Sequence, residues 1–157
     1  MSDNTTVWKT GYMPLIVGGI GAMASALFMP WLTVVSPTIG EVTRIGVQLR
    51  DGRIFALALF VLAMIARSEA RSPRATTRTA LLTGFVVLAA ALAIEQRDLS
   101  RLVDAFQADF AHARLGFGIY AMGIGLAASL TGVVKRRQLA ARVIEQQVTE
   151  SSPSSPL

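Results

Sequence analysis

Four long apolar runs without a charged side chain restrict the fold of this chain more than any other feature. They extend over Pro14–Val35, Ile54–Ala66, about Ala80–Ile94 and Leu115–Val134. A helix of roughly 20 residues crosses a hydrocarbon core of about 30 Å, so such runs are typical of transmembrane helices. Because the apolar residues are concentrated in runs, we predict an all-α membrane protein with a four-helix transmembrane bundle.

The runs and their polar flanks give a predicted order of segments along the 157 residues. Pro14 suits the first turn of a helix, and Pro30 interrupts the end of the first run. We predict an N-terminal tail at 1–13, a transmembrane domain at 14–134 with spans at about 14–35, 52–67, 77–95 and 115–134, a helical extension at 135–148, and a disordered tail at 149–157.

The segment between the third and fourth runs has a different pattern. Apolar residues recur at helical spacing, from Leu99 through Val103 to Phe110, while Asp98 and Asp104 fall on the opposite face. This periodicity is typical of an amphipathic helix. We therefore predict an interfacial helix over about 98–112, lying on the outer membrane surface.

Three segments leave an alternative open. The first run also fits a signal peptide, although Ala22-Met23-Ala24 is a poor cleavage site. The second run, only 13 residues long, also fits a re-entrant segment. A span is favoured there because the run has no polar or glycine-rich tip. The loop at 36–53, with its Asp51-Gly52 turn signal, also fits a short strand or hairpin on the membrane surface.

The distribution of basic residues predicts the orientation. Thirteen of the 15 basic residues are arginine, and they flank the apolar runs, which favours orientation in the membrane over binding of nucleic acid. With both termini inside, nine basic residues lie on the cytoplasmic side and six outside. We predict a bacterial cytoplasmic (inner) membrane protein with both termini cytoplasmic.

Small residues recur every four positions in the first and fourth spans, which lets helix backbones approach closely in lipid. One interpretation is a docking face for another subunit or for a second copy of the chain. The other is tight packing within the chain's own bundle. The residues are Gly18, Ala22 and Ala26 in the first span and Ala121, Gly125 and Ser129 in the fourth.

Two basic clusters and one tryptophan are candidates for contact with the membrane. Basic side chains beside a span favour binding of anionic lipid headgroups, and tryptophan is common at headgroup level. Trp31 is the predicted interface anchor. The predicted lipid contacts are Arg71, Arg74, Arg78, Lys135, Arg136 and Arg137.

The sequence offers little for catalysis. It contains no cysteine and one histidine, His112, which excludes thiolate metal sites and multi-histidine metal sites. Asp109 and His112 on one helix face give too few ligands for a metal. Glu95, at the end of the third span, is a proton-relay candidate or a carboxylate in the aqueous interface. We predict no enzyme, metal or cofactor.

The stretch Pro30-Trp31-Leu32-Thr33-Val34, followed by Asp51-Gly52-Arg53 and an Ala/Leu-rich run, resembles a group of small four-span actinobacterial membrane proteins, including mycobacterial ones. The resemblance covers the first span to the second, about a third of the chain. It implies a fold and a lineage but no activity.

These features favour an accessory or structural subunit, or scaffold, of a larger inner-membrane assembly, with membrane lipids and other subunits as partners. The alternative is a small oligomeric transporter or channel, which would need a polar path. The residues available for that path are Ser25, Thr83, Ser129 and Thr131, with Glu95 at the exit.

Overall fold

The computed structural model describes residues 12–38, 40–72, 74–108 and 112–151. Four helices, three strands and one 3-10 turn follow one another along this part of the chain. In order they are α1 (Met13–Ala26), β1 (Pro30–Ser36), β2 (Gly40–Ile45), a 3-10 turn (Gly46–Gln48), α2 (Gly52–Arg71), α3 (Ala75–Ala108), β3 (His112–Leu115) and α4 (Phe117–Ser151).

The prediction of an all-α, four-span bundle is wrong. The four helices pack side by side, α1 against α2 and α4, and α3 against α2 and α4, but a three-stranded antiparallel sheet joins them. Among the described residues, two helices are long and apolar enough to cross a membrane, at Ala75–Gln107 and Phe117–Leu139. With 14 residues, α1 is only about 21 Å long. In α2 the apolar stretch is short, because Arg53 and Arg67 bound it.

The first apolar run is divided between a helix and a strand. Proline cannot continue a helix and disfavours helical backbone in the residue before it, so Pro30 prevents α1 from extending. The residues that follow, Thr33-Val34-Val35, are β-branched and suit a strand. The predicted span at 14–35 is therefore replaced by α1, a short turn and β1.

β1 is the central strand of the sheet, in the order β2-β1-β3. It pairs with β2 from Pro30↔Ile45 to Ser36↔Gly40, so a strand does lie in the loop at 36–53. Gly40 has a φ of 80° at the turn, a conformation that glycine adopts without strain. On its other edge β1 pairs with β3, from Leu32↔Leu115 to Val35↔His112.

Trp31 attaches the sheet to the helices. It is 1% exposed, and its indole Nε1 donates a hydrogen bond of 2.8 Å to the carbonyl of Ala26 at the end of α1. The indole lies 6.1 Å from the ring of Phe55 in α2. A Cβ on Gly46 or Gly118 would collide with it. The structure thus places Trp31 in the core, whereas an interface anchor would expose its indole ring to the headgroups.

The interfacial helix predicted at about 98–112 is part of α3. No glycine or proline interrupts the chain between Ile94 and Ala108, so the helix continues for 34 residues, or about 50 Å. Its apolar face packs inward: Leu99 is buried, Val103 contacts the core, and Gln107 donates to the carbonyl of Ala113 in β3. The amphipathic pattern therefore reflects packing on the sheet end of the protein. Residues 109–111 lie outside the described part.

α1 and α4 form the closest helix pair, because glycines lie at their contact. A Cβ on Gly19 would collide with the Ser129 hydroxyl and the Gly125 carbonyl. Ser129 is fully buried and donates a hydrogen bond of 3.4 Å to the carbonyl of Ile16. By contrast, Gly18 is exposed, with no atom within 4 Å of the position of a Cβ.

This difference between adjacent glycines predicts two different mutational outcomes. Gly19→Leu should reduce the free energy of unfolding by about 1–3 kcal/mol, because a side chain there overpacks the α1–α4 contact. Gly18→Leu should be neutral, or stabilising by up to about 1 kcal/mol through higher helix propensity. Thermal unfolding of both variants in a mild detergent measures the difference, and equal effects would contradict the packing described above.

Candidate functional site

An elongated apolar cleft of about 640 Å³ lies between α2 and α3. It extends from Asp51 and Glu95, at the sheet end, to Ile65 and Ala80, near the opposite end of the two helices. Most of its lining is aliphatic. Pockets of a few hundred Å³ with apolar walls and few polar groups are typical of sites for small molecules and lipids.

Small residues in the lining create this cleft. Ala58 in α2 and Ala91 in α3 lie where larger side chains would fill the space between the helices. The Leu62 side chain fits against Gly84, and a Cβ on Gly84 would collide with it. Elsewhere the rim is wide and exposed, with Leu57 and Val87 more than 60% accessible. The cleft therefore opens sideways, toward whatever surrounds the helices.

The sheet end of the cleft is acidic. Asp51 and Glu95 both line it, and their carboxylates repel each other electrostatically, with Asp98 adding a third negative charge close to Glu95. In the part of the chain that the structure describes, neither Asp51 nor Glu95 forms a side-chain hydrogen bond or an ion pair. The arrangement combines a hydrocarbon-like groove with a negative end.

At the opposite end of the helices, a buried carboxylate joins three of them. Glu69, near the end of α2, is 0% exposed. Its Oε1 accepts a hydrogen bond of 2.8 Å from Arg78 Nε in α3 and lies 3.4 Å from Arg136 Nη2 in α4. Its Oε2 accepts hydrogen bonds from the Thr77 hydroxyl at 2.6 Å and the Arg74 amide at 3.0 Å, at the start of α3.

This environment favours the charged form of Glu69. Burial raises the pKa of the carboxyl, but its hydrogen bonds and the positive charge of Arg136 lower the pKa by more, so it lies below its ordinary value. The positive end of the α3 dipole also favours a negative charge at this position. The sequence pattern does not single out Glu69, because it is one charge in a polar segment between two apolar runs.

The six predicted lipid-contact residues all lie at or near this end of the protein. Arg71, Arg74, Arg137 and Lys135 are exposed, and Lys135 Nζ lies 5.9 Å from the ring of Tyr12. Arg78 and Arg136 contact Glu69, which withdraws much of their surface from solvent; Arg136 is 7% exposed. Within the described residues, Arg136 Nε and Nη1 have no hydrogen-bond partner.

The two predicted rows of small residues are used differently. Ala26, Gly125 and Ser129 are buried and Ala121 is half-buried, so they contribute to packing within the chain. Gly18 and Ala22 are exposed on the outer face of α1. The residues of α1 that pack against Gly125 in α4 are instead Gly19 and Met23, each one position after a predicted residue.

The polar residues proposed for a transport path do not converge. Ser25 and Thr131 donate to carbonyls of their own helices, at Gly21 and Ala127, and Ser129 donates to Ile16. Thr83 is exposed and does not line the cleft. Glu95 is the one member of the set in the cleft lining.

No metal site is evident among the described residues, where no group of three or more His, Asp or Glu side chains could hold an ion. His112 is exposed at the start of β3. Asp109, which was predicted to lie beside it on one helix face, is outside the described residues.

The chain matches no protein-family model, and the search of curated proteins found no similar sequence.

Removing the Glu69 carboxylate should weaken the protein strongly at neutral pH. Glu69→Ala removes the anion that pairs with Arg78 and Arg136, and breaking such a buried pair costs about 3–5 kcal/mol of unfolding free energy. Glu41→Gln, which changes an exposed carboxylate on β2, is the matched control and should change little. The readout is thermal unfolding in detergent. A Glu69→Ala loss no larger than that of the control would contradict the role of this carboxylate.

The same carboxylate should make the stability of the folded protein depend on pH. Because the pKa of Glu69 is lower in the folded state, its stabilisation is complete above the ordinary glutamate pKa of about 4.3 and is lost as pH falls through the folded value. The Glu69→Gln variant lacks this carboxylate. Its free energy of unfolding should therefore lie below that of the parent protein at neutral pH and approach it in acid. A constant difference between neutral pH and acid would contradict the lowered pKa.

Proposed function

We propose that this chain is a small, non-catalytic membrane protein that acts as an accessory or structural subunit of a larger membrane assembly. The observation that carries the proposal is the exposure of large apolar side chains on all four helices. Only 22% of the apolar part of α3 and 44% of that of α4 is buried, which supports contact with lipid or with other subunits. Examples are Val17, Phe60, Val87 and Ile124.

The outer face of α1 is the proposed contact for a partner helix. Gly18 and Ala22 are exposed there and leave the backbone accessible, the arrangement that allows close helix–helix approach in lipid. Phe28 and Met29, just beyond the helix, add exposed apolar surface. A second subunit, or a second copy of this chain, would cover this surface.

The proposed location is the bacterial cytoplasmic membrane, with the basic end of the helices and both termini on the cytoplasmic side. The positive-inside rule supports this orientation, since Arg71, Arg74, Lys135 and Arg137 are exposed at one end. Arg78 and Arg137 also line a pocket of about 180 Å³ between α3 and α4, which supports contact with anionic headgroups. The sheet would then face outward.

Cysteine labelling tests the orientation, because the chain has no cysteine of its own. Thr38→Cys, at the exposed turn of the sheet, should react with a membrane-impermeant maleimide added to intact cells. Ser72→Cys, exposed beside the basic end, should react only after the cells are permeabilised. The reverse pattern would contradict the proposed orientation, and equal labelling of both sites would contradict insertion.

Cross-linking in native membranes tests the subunit role. A bifunctional maleimide should join Ala22→Cys to a discrete partner or a second copy, while Phe60→Cys, on the exposed face of α2, should give no such product. Adding Gly18→Leu should abolish the Ala22 product without loss of thermal stability. The proposal fails if Ala22→Cys yields no product, or if its product persists in the Gly18→Leu background.

A further inference from the structure

We infer that the cleft between α2 and α3 binds a membrane lipid whose headgroup carries an ammonium group, with the hydrocarbon chain along the cleft and the ammonium group beside Asp51 and Glu95. This site lies on a different face from the proposed α1 contact and goes beyond the subunit role. It has three supports: the dimensions of the cleft, its lateral opening, and its charge.

The dimensions fit a hydrocarbon chain better than a protein helix. The α3 lining extends from Ala80 to Glu95, which corresponds to roughly 22 Å along the helix. A volume of about 640 Å³ spread over that length gives a mean cross-section of about 30 Å². An α-helix with its side chains is about 10–12 Å wide and needs roughly 80–110 Å². A partner helix would therefore rest on the rim without filling the cleft.

The rim allows a lipid to enter from the side. Ile54 and Leu57 on α2, with Val87 and Ile94 on α3, line the cleft and remain 62–65% exposed. In a membrane these side chains would contact acyl chains directly. A lipid chain can then enter the cleft without exposing its hydrocarbon to water.

Charge selects the headgroup. Asp51 and Glu95 have no cationic partner among the described residues, and their mutual repulsion would be relieved by a positive group between them. A headgroup without a cationic group would place its phosphate beside two carboxylates that it cannot neutralise. Arg50 and Arg53, exposed on either side of Asp51 in the sequence, offer cations to the phosphate of an amino-headgroup lipid.

Photolabelling of the detergent-solubilised full chain tests the site. The probes are a long-chain alkyltrimethylammonium and an alkyl sulfate with the same chain, each with a diazirine on the chain. The ammonium probe should label cleft residues of α2 and α3 at least tenfold more than the sulfate probe. Phosphatidylethanolamine should compete with the ammonium probe, whereas phosphatidylglycerol should not.

Matched variants test separately the part of the cleft that would hold the hydrocarbon chain and the part that would hold the headgroup. Ala91→Phe fills the cleft and should reduce labelling at least tenfold, while Ala90→Phe, on an exposed face of the same helix, should not. Asp51→Asn combined with Glu95→Gln should remove the preference for ammonium over sulfate. Glu41→Gln combined with Asp104→Asn, two exposed carboxylates outside the cleft, should preserve it. Thermal unfolding of each variant checks that it remains folded.

Three results would overturn the inference. Equal labelling by both probes would remove the role of the acidic pair. Labelling that survives Ala91→Phe in a folded variant would place the probe outside the cleft. Binding of the ammonium probe without competition by phosphatidylethanolamine would exclude a membrane lipid as the occupant. None of these outcomes bears on the α1 cross-link, so the site and the subunit role can fail separately.

Discussion

The burial of the Trp31 indole is the interaction on which the rest of the architecture depends. One side chain closes the end of α1 through its hydrogen bond to Ala26, packs on Phe55 of α2, and leaves room only for glycine at Gly46 and Gly118. The central strand of the sheet therefore holds three helices at a common end. Indole combines a large apolar surface with one hydrogen-bond donor, so Trp31 can pack in the core and also bond to the carbonyl of Ala26.

At the other end the helices are joined by charge. Glu69 links α2 to α3 and α4 and also accepts a hydrogen bond from the amide of Arg74, immediately before α3, so a single carboxylate partly compensates two arginines and a helix terminus. A buried ion of this kind is weak as a source of net stability but costly to break, and it specifies which helices meet. The same contact brings the basic segments around Arg71 and Arg136 to one end.

Between these two ends, the contact of α1 with α4 is tight, whereas α2 and α3 leave a cleft between them. α1 and α4 meet through Gly19 and Gly125 and leave no space, whereas α2 and α3 enclose the cleft, because Ala58 and Ala91 are small. Small residues thus have opposite effects at these two helix contacts. A glycine facing another backbone, as at Gly19, removes a gap, and small side chains in the lining, such as Ala58 and Ala91, leave one. The proposed lipid site depends on the second arrangement.

The sequence by itself determined the local properties of this protein: Pro14 in the first turn of α1, the apolar runs in the middle of α3 and the first half of α4, and the helical periodicity through Leu99 and Val103. The tertiary structure decided the rest. Apolar β-branched residues after Pro30 fit a helix end or a strand equally well, and only pairing with β2 and the distant β3 makes them β1. The partners of Glu69 and the inward position of Trp31 depend likewise on residues far away in the chain, and local patterns carry no information about such contacts.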